Sequence, residues 1–456
     1  MEILMMQEER AMRKILIVCL IVAMSMPLAF GEDAGGLGFE AGISLGTDVL
    51  IDAEGQPETW NSLGFQPDLA IGPFGVGFDL TMRFKLMPSV DTALAIFPGD
   101  WVPDYEGSGK TLLDLYLPKI MYVRYGQRGD PLYAKLGSID DLTLGNGFIV
   151  GEYSNTRFLP GQRLFGLDVG VDGALFGFPY VGIELLTGNL ARLDVFGGRL
   201  FARPLVSTGM PILENLQVGA TMAMDRGVSN FASSETFSPV LAYGADVFLP
   251  LLTGQAFPLA AFSELAFEPK GRTGFMVGAG GRLIGVITYA AQLRLLGAGF
   301  SPVYFDANYD LFRVQKAALM ESDPTGEGMA GWLAKAGASL FEDKLYFSVS
   351  VDGPFKATPA VASDSSAEYP HLRGVIGMAE GVLGGFFVSG SYDKYFIGRE
   401  NGFFADLVDP NDAVISAAFN YKTGAAVFTL LYNLSYNPEA DKGFDVTSSL
   451  QSSIKF

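Results

Sequence analysis

The chain is short of the residue types on which most soluble enzymes and metal sites depend. Among its 456 residues there is one cysteine, Cys19, and one histidine, His371. A lone cysteine excludes an internal disulfide framework. The spacings that ligate metals are also missing, so neither a metal nor another cofactor is expected. One histidine leaves little scope for imidazole proton transfer near neutral pH. It sits in Tyr369-Pro370-His371-Leu372-Arg373 with no serine and asparagine partners nearby, and reads as structural; the sequence is not expected to be an enzyme. Charged residues make up 18%, against about 25% in an average soluble protein. Their balance is one-sided, 50 Asp and Glu against 31 Lys and Arg, for a net charge of −19. A basic footprint is absent, which argues against a nucleic-acid partner.

Long apolar runs are lacking too, although 49% of residues are hydrophobic and the mean hydropathy is +0.28. A helical membrane protein would show several apolar stretches of about 20 residues. Only one exists, within MRKILIVCLIVAMSMPLAFG at residues 12–31. Arg13 and Lys14 form a basic start, Ile15 to Met24 an apolar centre, and Ala29 and Gly31 supply the small residues of a cleavage site. The segment predicts a signal peptide over residues 1–31, cut before Glu32. Glu2, Glu8 and Glu9 precede the basic pair, which makes Met12 an alternative start. The other reading is a lone membrane anchor, which the short apolar run disfavours. Removing residues 1–31 takes away three charges of each sign and leaves the remainder at −19.

What the sequence has in abundance is alternation. Side chains along a strand point to opposite faces with period two. In Phe444 to Phe456 one face carries Phe444, Val446, Ser448, Leu450, Ser452, Ile454 and Phe456. The other carries Asp445, Thr447, Ser449, Gln451, Ser453 and Lys455, with no apolar residue. Phe428, Leu430, Tyr432, Leu434 and Tyr436 likewise oppose Thr429, Leu431, Asn433 and Ser435. Ala413 to Lys422, Phe386 to Asp393 and Leu345 to Asp352 repeat the pattern. Further strands are expected over residues 37–50, 74–87, 193–201, 216–224 and 240–249. Tight turns such as Glu342-Asp343-Lys344 and Lys422-Thr423-Gly424 alternate with long polar connections, for example 321–329 and 358–368. Polar faces built from Ser, Thr and Asn, rather than Lys and Glu, suit a lumen better than the outside of a soluble sandwich. The expected fold is therefore all-β, a closed antiparallel transmembrane β-barrel forming a single domain over residues 32–456. At about 25 residues per strand and connection, it should have about 16 strands (14 to 18).

These features resemble the bacterial outer-membrane β-barrel class, porins included. The resemblance rests on the leader, the cysteine-free alternating strands and the ending Ile454-Lys455-Phe456. It implies an outer-membrane location with lipid as surroundings. It also implies that Ile454 and Phe456 belong to a terminal signal read by the barrel-assembly machinery. An energy-coupled receptor would need a plug domain and about 22 strands, more than this length accommodates.

Residues 135–168 stand apart. Asp140, Asp141, Glu152, Arg157, Arg163 and Asp168 gather there among Asn146, Tyr153, Asn155, several glycines and Pro160. One reading is an inward-folded loop that narrows the pore and sets a transverse field from both charge signs. The alternative is an extracellular loop, or irregular strands, whose charges pair or face water. Gly145-Asn146-Gly147 and Gly278-Ala279-Gly280-Gly281 read as turn or strand-curvature glycines, since no helix or Lys-Ser/Thr pair completes a phosphate loop. Asp406, Asp409 and Asp412 read as solvated loop charge. Trp60, Trp101 and Trp332 are expected in interfacial girdles. The leading functional expectation is a passive channel for small solutes. A transporter of hydrophobic molecules, with Leu333, Phe341, Phe387 and Leu431 facing inward, and a structural or adhesive barrel are the alternatives. The oligomeric state is not legible.

Overall fold

The computed structural model describes residues 37–51, 57–86, 94–159, 162–231, 236–254, 256–324, 326–356, 364–437 and 443–455. The leader and Phe456 lie outside the described residues. Twenty-two strand segments form one antiparallel sheet. They are β1 (Leu37–Ile51), β2 (Pro57–Ile71), β3 (Phe74–Phe78), β4 (Met82–Leu86), β5 (Leu94–Ile96), β6 (Ile120–Tyr125), β7 (Leu132–Gly137) and β8 (Gly166–Asp172). Then follow β9 (Val181–Thr187), β10 (Val195–Ala202), β11 (Gln217–Asp225), β12 (Val240–Leu252), β13 (Leu259–Glu268), β14 (Arg272–Leu283) and β15 (Ile287–Leu296). The last seven are β16 (Met329–Leu340), β17 (Leu345–Pro354), β18 (His371–Leu383), β19 (Phe386–Lys394), β20 (Ala413–Thr423), β21 (Ala426–Tyr436) and β22 (Phe444–Lys455). Apart from β3 to β6, each strand pairs with its neighbour in sequence, and β22 returns to β1 from Gly42↔Lys455 to Val49↔Ser448. That pairing closes the sheet and leaves no free edge, which a strand-built wall needs in lipid.

The barrel is larger than expected. β3 and β4 both pair with β2 and form one wall strand, broken at residues 79–81. β5 and β6 pair with β4 and β3 respectively, and so form the next wall strand around an insertion at 97–119. Counting each composite once gives 20 strands, outside the expected 14 to 18. The miscount has a physical source. Hairpin turns such as Gly384-Gly385 and Gly424-Ala425 use two residues, and β6 to β9 are only six or seven residues long, so the chain spends less per strand than allowed. Three helices also appear, α1 (Leu112–Tyr116), α2 (Tyr309–Glu321) and α3 (Phe403–Val408), all in connections.

The two faces of the wall separate as the alternation predicts. Outward residues include Leu200, Leu293, Leu295, Phe419 and Leu450, all exposed. Inward residues include Ser44, Asp48, Arg199, Asp246, Glu264, Arg294, Asp393 and Ser449, all buried. An apolar belt outside a polar interior is the arrangement of a membrane-spanning barrel. Most short turns gather at one end and most long connections at the other, the pattern of periplasmic turns and extracellular loops, with the β13–β14 turn and the β10–β11 connection as exceptions. Trp332 takes the expected outward face, opposite Leu293. Trp60 departs from expectation: it shares the inward face with Ser62, and its ring lies 4.9 Å from Phe97. Leu333, Phe387 and Leu431 do face inward by their position in β16, β19 and β21. Phe341 does not, since it sits exposed in the β16–β17 turn.

Candidate pore constriction

The connection between β7 and β8 bends into the lumen instead of continuing the wall. Its base is pinned by Asn155, which is fully buried. The Asn155 side chain accepts from Ile139 N at 2.7 Å and donates to the carbonyls of Gly188 at 2.9 Å and Gly137 at 3.3 Å. Beyond the base, Leu142 and Tyr153 exchange backbone hydrogen bonds, so the loop continues as a narrow two-stranded finger. Its tip is Gly145-Asn146-Gly147, where φ is +60° at Gly145 and +82° at Gly147. Those left-handed conformations are why glycine flanks the tip. The tip reaches the wall at β12 and β13. Asn146 Nδ2 donates to the carbonyls of Ser263 and Val247 at 2.9 and 3.1 Å, and Asn146 N donates to Glu264 at 3.2 Å.

A second long connection, 297–328, folds down onto the finger. Val303 N donates to Phe148 O at 2.8 Å, and Phe305 exchanges bonds of 3.1 Å with Ile149 O and Gly151 N. Leu142, Leu144, Phe148, Ile149 and Val150 pack with Phe300, Tyr304, Phe305 and Tyr309 into a buried apolar cluster inside the barrel. α2 seals it. Arg313, 2% exposed, donates to Asp225 Oδ2 through Nε (3.0 Å) and Nη2 (2.6 Å), and to Asp194 through Nη1 (3.1 Å). Tyr309 OH donates to the same Asp225 oxygen at 2.8 Å. Tyr153 of the finger donates to Asp310 of α2 at 3.2 Å, tying the two loops together. Burial pushes the Asp310 carboxyl up to about 7, with Arg313 pulling the other way. The Tyr153 hydroxyl is likewise driven up by burial.

The six charged residues singled out in the sequence do not form one ring. Glu152 stands in the lumen, held by Lys335 of β16 at 2.5 Å and by Arg373 of β18 at 2.7 Å. Burial raises its carboxyl, but the two cations outweigh that and hold it below the ordinary range. Arg157 reaches the β20 wall, donating to Ala307 O at 2.8 Å and Ser416 Oγ at 3.3 Å. Arg163 extends the other way, to Asp79 at 2.8 Å. Asp140, Asp141 and Asp168 stay near the loop's root: Asp140 is exposed and 3.7 Å from Lys135, and Asp168 lies 3.9 Å from Arg128. The Arg128 guanidinium also donates to Asp141 O at 3.5 Å. The sequence reading missed the wall partners Lys335 and Arg373 and the whole of α2. Each of these two cations is the one lysine or arginine on the inward face of its strand, Lys335 among Gly331, Leu333, Gly337 and Ser339 and Arg373 beside His371, Val375 and Gly377, and that isolation is the signal that marks both.

His371 is held as a structural group, stacked on Tyr395 with ring centroids 4.4 Å apart and bonded to Asp352 at 3.1 Å. Asp406 accepts the backbone N–H groups of Gly398, Glu400 and Asn401, while Asp412 pairs with Arg399 at 2.6 Å. Their carboxylates are committed to ordering the β19–β20 loop.

Partly exposed polar side chains line the inward face of the arc from β17 to β22. The inward residues of β17 to β22 include Ser348, Ser350, Ser391, Ser416, Asn420, Thr429, Asn433, Gln451 and Ser453, and most keep partial exposure. The loops touch this arc toward its loop end, through Glu152 to Arg373, through Arg157 to Ser416 and through Asn433, which donates to Leu159 O at 2.7 Å.

No family model and no curated protein matches the chain. Solved structures similar to it include Pseudomonas aeruginosa OpdL, at 9% identity over 93% of this chain and 99% of that one, with a TM-score of 0.34. Pseudomonas aeruginosa OccK8 (OprE) aligns at 10% identity over 93% and 99%, with a TM-score of 0.35. Acinetobacter baumannii OccAB2 aligns at 10% identity over 94% and 99%, with a TM-score of 0.35. Superpositions this loose carry no weight, and the architecture rests on the strand ladder itself.

Proposed function

We propose that the chain is a bacterial outer-membrane channel through which small polar solutes pass passively. The observation that carries this reading is the division of the lumen. Two inward loops anchor mainly on β9 to β16, and partly exposed Ser, Thr, Asn and Gln side chains line the inward face of the arc from β17 to β22. A solute moving there exchanges its water for weak, interchangeable hydrogen bonds, which favours entry without trapping. Glu152, Lys335, Arg373 and Arg157 lie between the finger and that arc, where both charge signs act on a passing solute. In this role Glu152 and Arg157 carry the constriction, Arg163 braces its far end, and Asp140, Asp141 and Asp168 support its root. Leu333, Phe387 and Leu431 are too dispersed along the polar arc to make an apolar pocket, which weighs against a carrier of hydrophobic molecules. The test is solute flux into liposomes containing the refolded protein. Swelling in small sugars or amino acids is expected, and no swelling with any small solute would overturn the proposal.

A further inference from the structure

The barrel wall is not equally tall around its circumference. A transmembrane strand needs about 9–11 residues to cross the hydrocarbon at its usual tilt. β6 and β7 have six residues, and β8 and β9 have seven, whereas β12 to β18 have ten to thirteen. At about 3.3 Å per residue, seven residues span about 23 Å along the strand, and less along the membrane normal once tilted. The shortfall lies at the loop end. Gly137, the last residue of β7, is in register through Tyr122 and Gly77 with Asp68 of β2, yet β2 runs on to Pro57. Above β7 and β8 the chain turns into the lumen as the finger, so it does not complete the wall.

The segment that leaves β5 at Phe97 and rejoins β6 at Ile120 is positioned to fill this gap. It is tied on both sides: Asp100 to Arg83 of β4 at 2.7 Å, and Asp114 to Arg192 of the β9–β10 loop at 2.9 Å. Thr111 and Asp114 close a capping box at the start of α1, which satisfies backbone donors that lipid would leave unpaired. Lys119 lies 3.5 Å over the Trp101 ring, and Tyr116 OH donates to Trp101 O at 3.2 Å. The two faces of α1 differ. Leu115 is buried and Asp114 is held by Arg192, whereas Leu112, Leu113 and Tyr116 are 62%, 54% and 46% exposed. Three contiguous large apolar side chains are costly against water and favourable against hydrocarbon.

We propose that residues 97–119 replace the missing upper wall and that Leu112, Leu113 and Tyr116 contact lipid acyl chains of the outer leaflet. The inference rests on the barrel spanning a membrane. It extends the outward apolar belt across a stretch where strands do not supply it, with lipid as the partner. A site-directed spin label tests it, because Cys19 is the only cysteine and a Cys19→Ser background is free of others. Leu113→Cys and Tyr116→Cys, labelled in reconstituted vesicles, are expected to collide several-fold more often with oxygen than with a water-soluble nickel chelate. Leu293→Cys on the outward face of β15 is the control for membrane insertion. If Leu293 shows the lipid signature while Leu113 and Tyr116 favour the nickel chelate, the segment faces water and the inference falls, with the spanning barrel intact. Dipolar broadening between copies at Leu113 would overturn it in favour of a protein contact. A Leu293 label exposed to the chelate would remove the membrane-spanning reading as well.

Discussion

The two sides of the lumen are made from the same alternating strands but carry opposite kinds of polarity. From β9 to β15 the inward face holds Glu184, Arg199, Asp246, Glu264, Glu268, Arg272 and Arg294. These charges are consumed: Arg199 pairs with Asp246 at 2.6 Å, Glu264 accepts the finger's backbone, and Arg272 donates to the carbonyls of Leu319, Met320 and Ser322 at the end of α2. From β17 to β22 the inward face carries Ser348, Ser350, Ser391, Ser416, Asn420, Thr429, Asn433 and Ser453 among charges that include Asp352, Arg373 and Asp393. Charged pairs anchor the loops on β9 to β16 and again at Arg373 of β18, whereas Ser416 and Asn433 hold them through single hydrogen bonds to a hydroxyl and from an amide. A paired charge buried under a loop gives a specific, stiff attachment, whereas a hydroxyl lining leaves a surface wetted by mobile water. Under the proposed function, the narrow passage is made by loops anchored mainly on β9 to β16.

Breaking the filled side should have the largest effect. Arg313→Met strands Asp225 and Asp194 in a buried site, a loss of about 3–5 kcal/mol for a broken buried pair. The expected result is release of 297–328 from the lumen, read as protease cleavage within that connection and a higher, noisier single-channel conductance. Asn146→Ala removes two hydrogen bonds at the finger tip, each of about 0.5–1.5 kcal/mol. It should give the same phenotype in weaker form, as brief openings to a larger conductance level. Glu152→Gln leaves Lys335 and Arg373 without their shared carboxylate. Conductance should change little, but the reversal potential in a salt gradient should move toward anions. The smallest effect is on pH. Asp310 has an ordinary value of 3.8 and rises to about 7 when α2 is docked. The docked loop therefore binds a proton that the undocked loop releases, so docking is strongest below about pH 4 and weakens as pH rises through 7. Open-level dwell times should lengthen over that interval in the native channel and stay flat in Asp310→Asn.

The contrast between the two arcs also explains what could be read in the sequence. In β19 to β22 an apolar outward face alternates with an inward face rich in Ser, Thr and Asn. The period-two pattern is plain there despite inward Phe387, Asp393 and Leu431, and Ser449 and Leu450 fall on the expected faces. On the filled side, inward Glu and Arg serve loops far away in sequence. Glu152 finds Lys335 and Arg373 at separations of 183 and 221 residues, which no local pattern discloses. The strand count failed for a related reason. Breaks at 79–81 and 97–119 divide wall strands into fragments too short to show a period, and β6 to β9 stop early because the chain turns inward. The helix α2 was hidden because its buried face includes Arg313 and Asp310 beside Tyr309, Ala317 and Met320.

The central claim is that solutes travel along the hydroxyl-lined arc, and a cysteine on that arc tests it most directly. Ser391→Cys in the Cys19→Ser background, recorded as single channels in a planar bilayer, should lose much of its conductance when a bulky water-soluble thiol reagent is added. Ile376→Cys, on the outward face of the neighbouring strand, should not respond. A conducting Ser391→Cys channel that ignores the reagent, or a native protein that forms no conducting channel, would contradict the account.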